Sequence, residues 1–84
     1  MASVVMYTTD RCPYCDRAKE LLERRSVPFT EVNLERDPAG RQALAARTGR
    51  MTFPQILVGE QSIGGFSELV RADRAGLLAA MRAA

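Results

Sequence analysis

The chain contains no histidine, and its cysteines are two, Cys12 and Cys15. A structural zinc site takes four ligands, usually two cysteine pairs or one pair with histidines. The ligands for it are missing, and no metal is expected. Aromatic residues make up only 6% of the chain, and the twelve lysines and arginines are spread out rather than gathered in a run. A nucleic-acid surface, built from a basic stripe interleaved with aromatic stacking residues, has little to rest on. No apolar run approaches the roughly twenty residues of a membrane span. No charged-then-apolar leader opens the chain. Repeats, linkers and low-complexity stretches are absent as well. These absences lead us to expect a soluble protein of the reducing cytoplasm with neither nucleic acid nor membrane as a partner.

Eighty-four residues with 46% apolar content suffice for one small domain over 1–84, expected to be a monomer. The net charge of +2 suits a small anionic thiol or a peptide as substrate.

The remaining distinctive feature is Cys12-Pro13-Tyr14-Cys15, with the apolar run Val4-Val5-Met6-Tyr7 before it and a helical pattern after it. Two cysteines at this spacing, where a strand meets a helix, indicate a thiol–disulfide redox centre. A helix N-terminus carries unpaired N–H groups and the positive end of the macrodipole. Cys12, just before the helix, is therefore expected to have a depressed pKa and to act as the nucleophilic thiolate. Arg11, Arg17 and Lys19 add positive charge nearby. Pro13 suits the first helical position. Cys15, in the first turn, can bring its sulfur back to Cys12 as the resolving thiol. A structural disulfide closing so short a loop would constrain little unfolded-chain entropy. Two inert core cysteines fit poorly with Pro13 and the basic neighbours.

Along the chain, Ser3 to Tyr7 reads as a strand buried on both faces. A helix follows from Pro13 to Arg25, with Cys15, Ala18, Leu21 and Leu22 on one face. Val27-Pro28 stops it. Phe29 to Asn33 alternates as a second strand, parallel to the first through a βαβ crossover. Asp37-Pro38 opens a second helix that runs to Thr48 and closes at Gly49, with Ala43, Leu44 and Ala46 as a thin apolar face. Gln55 to Val58 is the third strand. Gly59-Glu60 is a hairpin turn of the II′ kind, and Gln61 to Ile63 returns antiparallel. Ser67 is the expected cap of a last helix, with a break near Asp73 before Leu77, Leu78 and Met81. The order is β-α-β-α-β-β-α, an α/β fold with a four-stranded mixed sheet and helices on both faces. The cysteines lie at the carboxyl end of the first strand, where open α/β sheets place their chemistry. Composition alone gives no reason to expect a cis Phe53-Pro54 bond.

This order resembles the thioredoxin fold, and the residues are similar to those of the dithiol glutaredoxins of the small bacterial type. Four landmarks carry the resemblance: Cys12-Pro13-Tyr14-Cys15, Thr52-Phe53-Pro54 in place of Thr-Val-Pro, Gly64-Gly65 with Phe66-Ser67-Glu68 after it, and Thr48-Gly49 before the proline motif. The resemblance implies a cis Pro54 facing Cys12. It implies glutathione as co-substrate, held through the Phe53 backbone as an added strand would be. Tyr14 and Thr52 would line the groove. Gly65, Phe66 and Ser67 would meet the γ-glutamyl end, and Arg41 the glycyl carboxylate. The chain departs from the family at Thr9, where lysine is common, at Phe53, where valine is usual, and at Ser67, where aspartate is usual.

The expected activity is reduction of protein disulfides and glutathione mixed disulfides by a glutathione-disulfide oxidoreductase. Ribonucleotide reductase, other reductases and glutathionylated proteins all fit as substrates. One alternative is a redoxin recharged by thioredoxin reductase, although such proteins carry Trp-Ser-Gly-Phe where this chain has Ile63-Gly64-Gly65-Phe66. Another is a module binding a glutathione-ligated iron–sulfur cluster through Cys12, which Pro13 disfavours.

Overall fold

The computed structural model describes residues 3–82. The elements are β1 (Val4–Thr8), α1 (Pro13–Arg24), β2 (Thr30–Asn33), α2 (Pro38–Thr48), β3 (Gln55–Val58), β4 (Gln61–Gly64), α3 (Phe66–Arg74) and α4 (Leu78–Arg82). The sheet order is β2-β1-β3-β4. β1 runs parallel to β2 and antiparallel to β3, and β3 pairs antiparallel with β4. None of the described helices is long and apolar enough to cross a membrane.

Strand alternation divides the apolar residues between two cores. Val4, Met6 and Ile56 face one side of the sheet, where Ala18, Leu21 and Leu22 of α1, Leu69 and Ala72 of α3, and Leu78 and Met81 of α4 cover them. On the other side a smaller cluster joins Leu34, Leu44 of α2 and Leu57, with Tyr7, Val32 and Phe53 partly buried against it. The expectation that β1 is buried on both faces needs correction. Val4, Met6 and Thr8 are buried, but Val5 and Tyr7 are only half covered. The reason is the thinness of the α2 layer. Leu44 is the only buried residue of that helix, and Ala43 and Ala46 are exposed rather than packed.

Helix ends follow local chemistry. Cys12 is the N-cap of α1 and Asp37 that of α2, where the Asp37 carboxylate accepts the Gly40 N–H at 2.9 Å. After α1 the Val27 N–H bonds to the Leu22 carbonyl and the Ser26 N–H to Glu23, a Schellman closure. The same closure ends α3, with Leu77 bonded to Ala72 and Gly76 to Asp73. The break thus lies at Ala75–Leu77 and not at Asp73, which is still helical; Gly76, at φ 78°, is the residue that can take the left-handed turn. At the corresponding position after α1 the chain has Ser26 at φ 59°. A side chain there costs about 1–2 kcal/mol, part of which glycine would return through unfolded-state entropy. Ser26→Gly should therefore raise stability by roughly 0.5–1 kcal/mol, read as a higher urea midpoint at unchanged slope. A lower midpoint would show that the serine hydroxyl contributes more than the strain removes.

Candidate active site

The site forms where β1 hands the chain to α1. Arg11 turns the loop with φ 53°, an uncommon conformation for a residue with a side chain. Cys12 follows in extended conformation. Its Sγ accepts the Cys15 backbone N–H at 3.1 Å, and its carbonyl accepts the Asp16 N–H. One otherwise orphaned helix donor thus points at the sulfur, as stabilisation of a thiolate requires. Cys12 and Cys15 are joined as a disulfide, with Cα atoms 5.1 Å apart. The two sulfurs differ in access: Cys15 is 1% exposed, whereas Cys12 is half-buried. An incoming disulfide can reach Cys12 only.

The basic residues named around the cysteines have different roles. The Lys19 ammonium reaches the Glu31 carboxylate at 3.3 Å and Asp16 at 3.6 Å. Burial works against its charge, but the Glu31 and Asp16 carboxylates outweigh that and raise its pKa. Glu31 also accepts a hydrogen bond from the buried Thr8 hydroxyl at 2.7 Å. Arg17 lies over the Tyr14 ring, 5.3 Å from its centre. That ring in turn leans on Phe66 at 5.7 Å.

The Phe53-Pro54 peptide is cis, and the Phe53 carbonyl lies 3.8 Å from Cys12 Sγ. Beside it opens a cleft of about 300 Å³ lined by Tyr14, Thr52, Phe53, Pro54, Gly65, Phe66 and Ser67. The fold therefore brings together seven of the eight residues that the resemblance nominated for glutathione. Arg41 stands apart from that lining. Its Nη1 donates to the Leu34 and Glu35 carbonyls at 3.0 and 2.8 Å, fastening α2 to the loop after β2.

Two residues that the sequence reading did not nominate complete the cleft, Arg50 and Glu68. In the sequence Glu68 figures only as the last residue of the Phe66-Ser67-Glu68 landmark. Its Oε1 accepts the Gly65 N–H at 2.7 Å and Arg50 Nη1 at 3.2 Å. This contact corrects the cap of α3: Gly65 is the N-cap, the helix starts at Phe66, and Ser67 is exposed in the first turn. Gly65 has no side chain to offer, so the carboxylate three residues on reaches back instead. Gly64 must stay small, because a Cβ there would lie 2.7 Å from the Glu68 side chain and φ is 121°. The buried Gln55 holds the Arg50 carbonyl through its Nε2 at 3.0 Å. The sequence signal for the pair was weak, since a lone arginine and a lone glutamate eighteen residues apart share no spacing rule.

The Gly65 N–H, and after it Arg50, pull the Glu68 pKa below the ordinary glutamate range against partial burial. A carboxyl whose pKa is lower folded than unfolded stabilises the fold above its unfolded value. That stability is lost as pH falls through the lower, folded value. Glu68→Gln should thus lower the urea midpoint near neutrality, and the gap to the parent should close on acidification below the ordinary carboxylate range. A gap independent of pH would assign the loss to packing instead of the carboxylate.

The comparisons agree with this geometry. Residues 4–63 match the family model described as Glutaredoxin. A glutaredoxin of Pseudomonas aeruginosa is 46% identical over 84 residues, covering all of both chains. Glutaredoxin 3 of Escherichia coli is 43% identical over 76 residues, covering 90% of this chain and 92% of that one. Among solved structures, a buckwheat glutaredoxin–glutathione complex superposes with TM-score 0.87 at 27% identity, over 98% of this chain and 77% of that chain. The solution structure of glutaredoxin from Brucella melitensis gives TM-score 0.83 at 40% identity, over 96% and 88%. With a redox-active cysteine pair at the first strand–helix junction, a cis Phe53-Pro54 peptide whose Phe53 carbonyl lies beside Cys12, and whole-length similarity of this order, the chain belongs to the glutaredoxin family.

Proposed function

We propose that the chain is a glutathione-dependent thiol–disulfide oxidoreductase, acting as one domain and as a monomer. The observation that carries the reading is Cys12 Sγ, accepting the Cys15 N–H and lying against Phe53 at the wall of the cleft. The buckwheat structural neighbour, a glutaredoxin–glutathione complex, supports the ligand. In this reading glutathione occupies the cleft as a short added strand on Phe53. Its γ-glutamyl carboxylate meets the free N–H groups at the start of α3. Arg50 supplies a cation at the rim, held there by Glu68.

The Cys12 thiolate attacks the glutathione sulfur of a mixed disulfide. A new Cys12–glutathione bond forms, the old S–S bond breaks, and the substrate leaves as thiolate to be protonated by water. A second glutathione thiolate then attacks the glutathione sulfur, releasing oxidised glutathione and the Cys12 thiolate. With a protein disulfide, Cys12 forms a mixed disulfide to the protein. Cys15 then attacks Cys12, which releases the dithiol substrate and leaves the Cys12–Cys15 disulfide. Two glutathiones reduce that bond. Glutaredoxin potentials of about −200 to −230 mV put the cycle within reach of a glutathione pool.

The test is reduction of a glutathionylated small disulfide with NADPH, once with glutathione and glutathione reductase, once with thioredoxin reductase alone. Turnover in the first only is expected. Turnover in the second only would make the chain a redoxin recharged by thioredoxin reductase. Visible absorbance after anaerobic reconstitution with iron and sulfide would favour the cluster-binding alternative. Ser67 bears on affinity: it is exposed on the cleft wall and leaves the glutathione ammonium without a carboxylate from that position. Ser67→Asp should lower KM for glutathione by roughly fivefold, as about 1 kcal/mol from a charged hydrogen bond implies. An unchanged KM would place the ammonium elsewhere.

A further inference from the structure

A second cleft, of about 370 Å³, lies in the groove between α1 and α3. Its floor is apolar, formed by Leu21, Phe66 and Val70, and its walls carry Arg17, Arg24 and Arg74. Among the described residues none of these three arginines makes an ion pair. The groove also contains Asp73 and Glu20. Asp73 is already held by Arg25 across the two helices, with Nε at 2.7 Å and Nη2 at 3.0 Å. Arg24 and Arg74 also act on Asp73 without forming an ion pair to it, so three guanidinium groups face Glu20 and an Asp73 already held by Arg25, and the lining keeps an excess of positive charge. Arginines over an apolar floor match a segment that alternates acidic and apolar side chains.

The groove is continuous with the redox site. Phe66 lines both clefts, and Arg17 reaches back over Tyr14. From Cys12 to Arg24 is twelve residues of helix, about 18 Å at ~1.5 Å per residue. An extended peptide at ~3.3 Å per residue covers that span with about five or six residues. We propose that the α1–α3 groove docks an acidic, apolar segment of the protein substrate that lies about five or six residues from its reactive cysteine. Docking there would raise the local concentration of that disulfide at Cys12 and make the enzyme prefer acidic protein partners over basic ones. The proposal rests on the disulfide-reductase reading above.

The test uses peptides glutathionylated on one cysteine, with Glu-Leu-Glu or Lys-Leu-Lys placed five or six residues away on either flank. The parent protein should reduce one of the acidic peptides with kcat/KM roughly tenfold above its lysine counterpart, the low end of electrostatic steering. Salt should shrink the difference. R24E/R74E should reverse the order, and the milder R24Q/R74Q should abolish it. Both should leave turnover of the mixed disulfide of glutathione and 2-mercaptoethanol unchanged. Equal rates for acidic and lysine peptides, or a preference that survives R24E/R74E, would overturn the proposal. A concentration-dependent dimer of the parent that R24E/R74E dissociates would overturn it too, by making a second copy the occupant. Loss of turnover on the small mixed disulfide in the parent itself would instead sink the reductase reading.

Discussion

Cys12→Ser is expected to abolish turnover of every disulfide substrate, while Cys15→Ser keeps deglutathionylation and loses reduction of protein disulfides. The asymmetry comes from burial and from one hydrogen bond. Cys12 is the half-exposed sulfur and receives the Cys15 N–H at 3.1 Å. Serine there offers a hydroxyl that does not ionise near neutral pH, so the first covalent step has no nucleophile. The loss should run to the uncatalysed background. Cys15, 1% exposed, is unreachable from solvent, so in the proposed cycle it acts only after Cys12 carries a partner. Its removal should leave the proposed glutathione route intact, because there a second glutathione performs the release. The backbone N–H of residue 15 still points at Cys12 in that variant, so Cys12 reactivity should persist. Serine at a buried site also costs roughly 1–3 kcal/mol unless its hydroxyl finds an acceptor. The urea midpoint is therefore measured beside the kinetics. Equal loss of both activities in a folded Cys15→Ser protein would contradict the division of labour.

Leu69→Ala should cost about 3 kcal/mol of stability, within the usual 2–5 kcal/mol for a buried leucine. Leu69 is 0% exposed on α3 and belongs to the core that joins α1, α3, α4 and the sheet. Removing its isobutyl end loses transfer energy and leaves a cavity that several elements would have to close at once. A chain of 84 residues has on the order of 4–12 kcal/mol in total. The loss would thus take a large share of it and lower Tm by roughly 12–24 °C. The residue follows Ser67 and Glu68 directly, so the start of α3 should loosen before global unfolding. KM for glutathione should then rise at temperatures where kcat still holds. A shift under about 1 kcal/mol would mean that α3 can slide inward and fill the space.

Most of the architecture was legible because it is written in local rules. The β-α-β-α-β-β-α order came from periodicity and from punctuation at Pro13, Asp37-Pro38, Gly49 and Gly59. The structure places each of those within a residue or two of expectation. Gly59 has φ 61°, as the first residue of a II′ turn requires. The misreadings arose where two local signals competed. Ser67 is a good capping residue by type, but Gly65 lies nearer the strand and Glu68 satisfies its N–H from within the helix. Asp73 looked like a break, yet its carboxylate is held by Arg25 from another element. Residue type cannot show that, because the partner is 48 positions away. Ala43 and Ala46 were expected to share an apolar face with Leu44, but at about 100° per residue they point well away from it and are exposed, leaving Leu44 to cover the sheet.

The sequence by itself determined the chemistry: a dithiol at a strand–helix junction, a proline motif and a double glycine, each a statement about covalent or backbone geometry within a few residues. Only the tertiary structure decided that Arg50 and Glu68 rather than Arg41 border the cleft, and that three arginines flank an apolar groove next to it. Burial, ion pairing and groove charge depend on residues distant in the chain that meet only when the sheet and helices pack. A local pattern carries no record of such meetings.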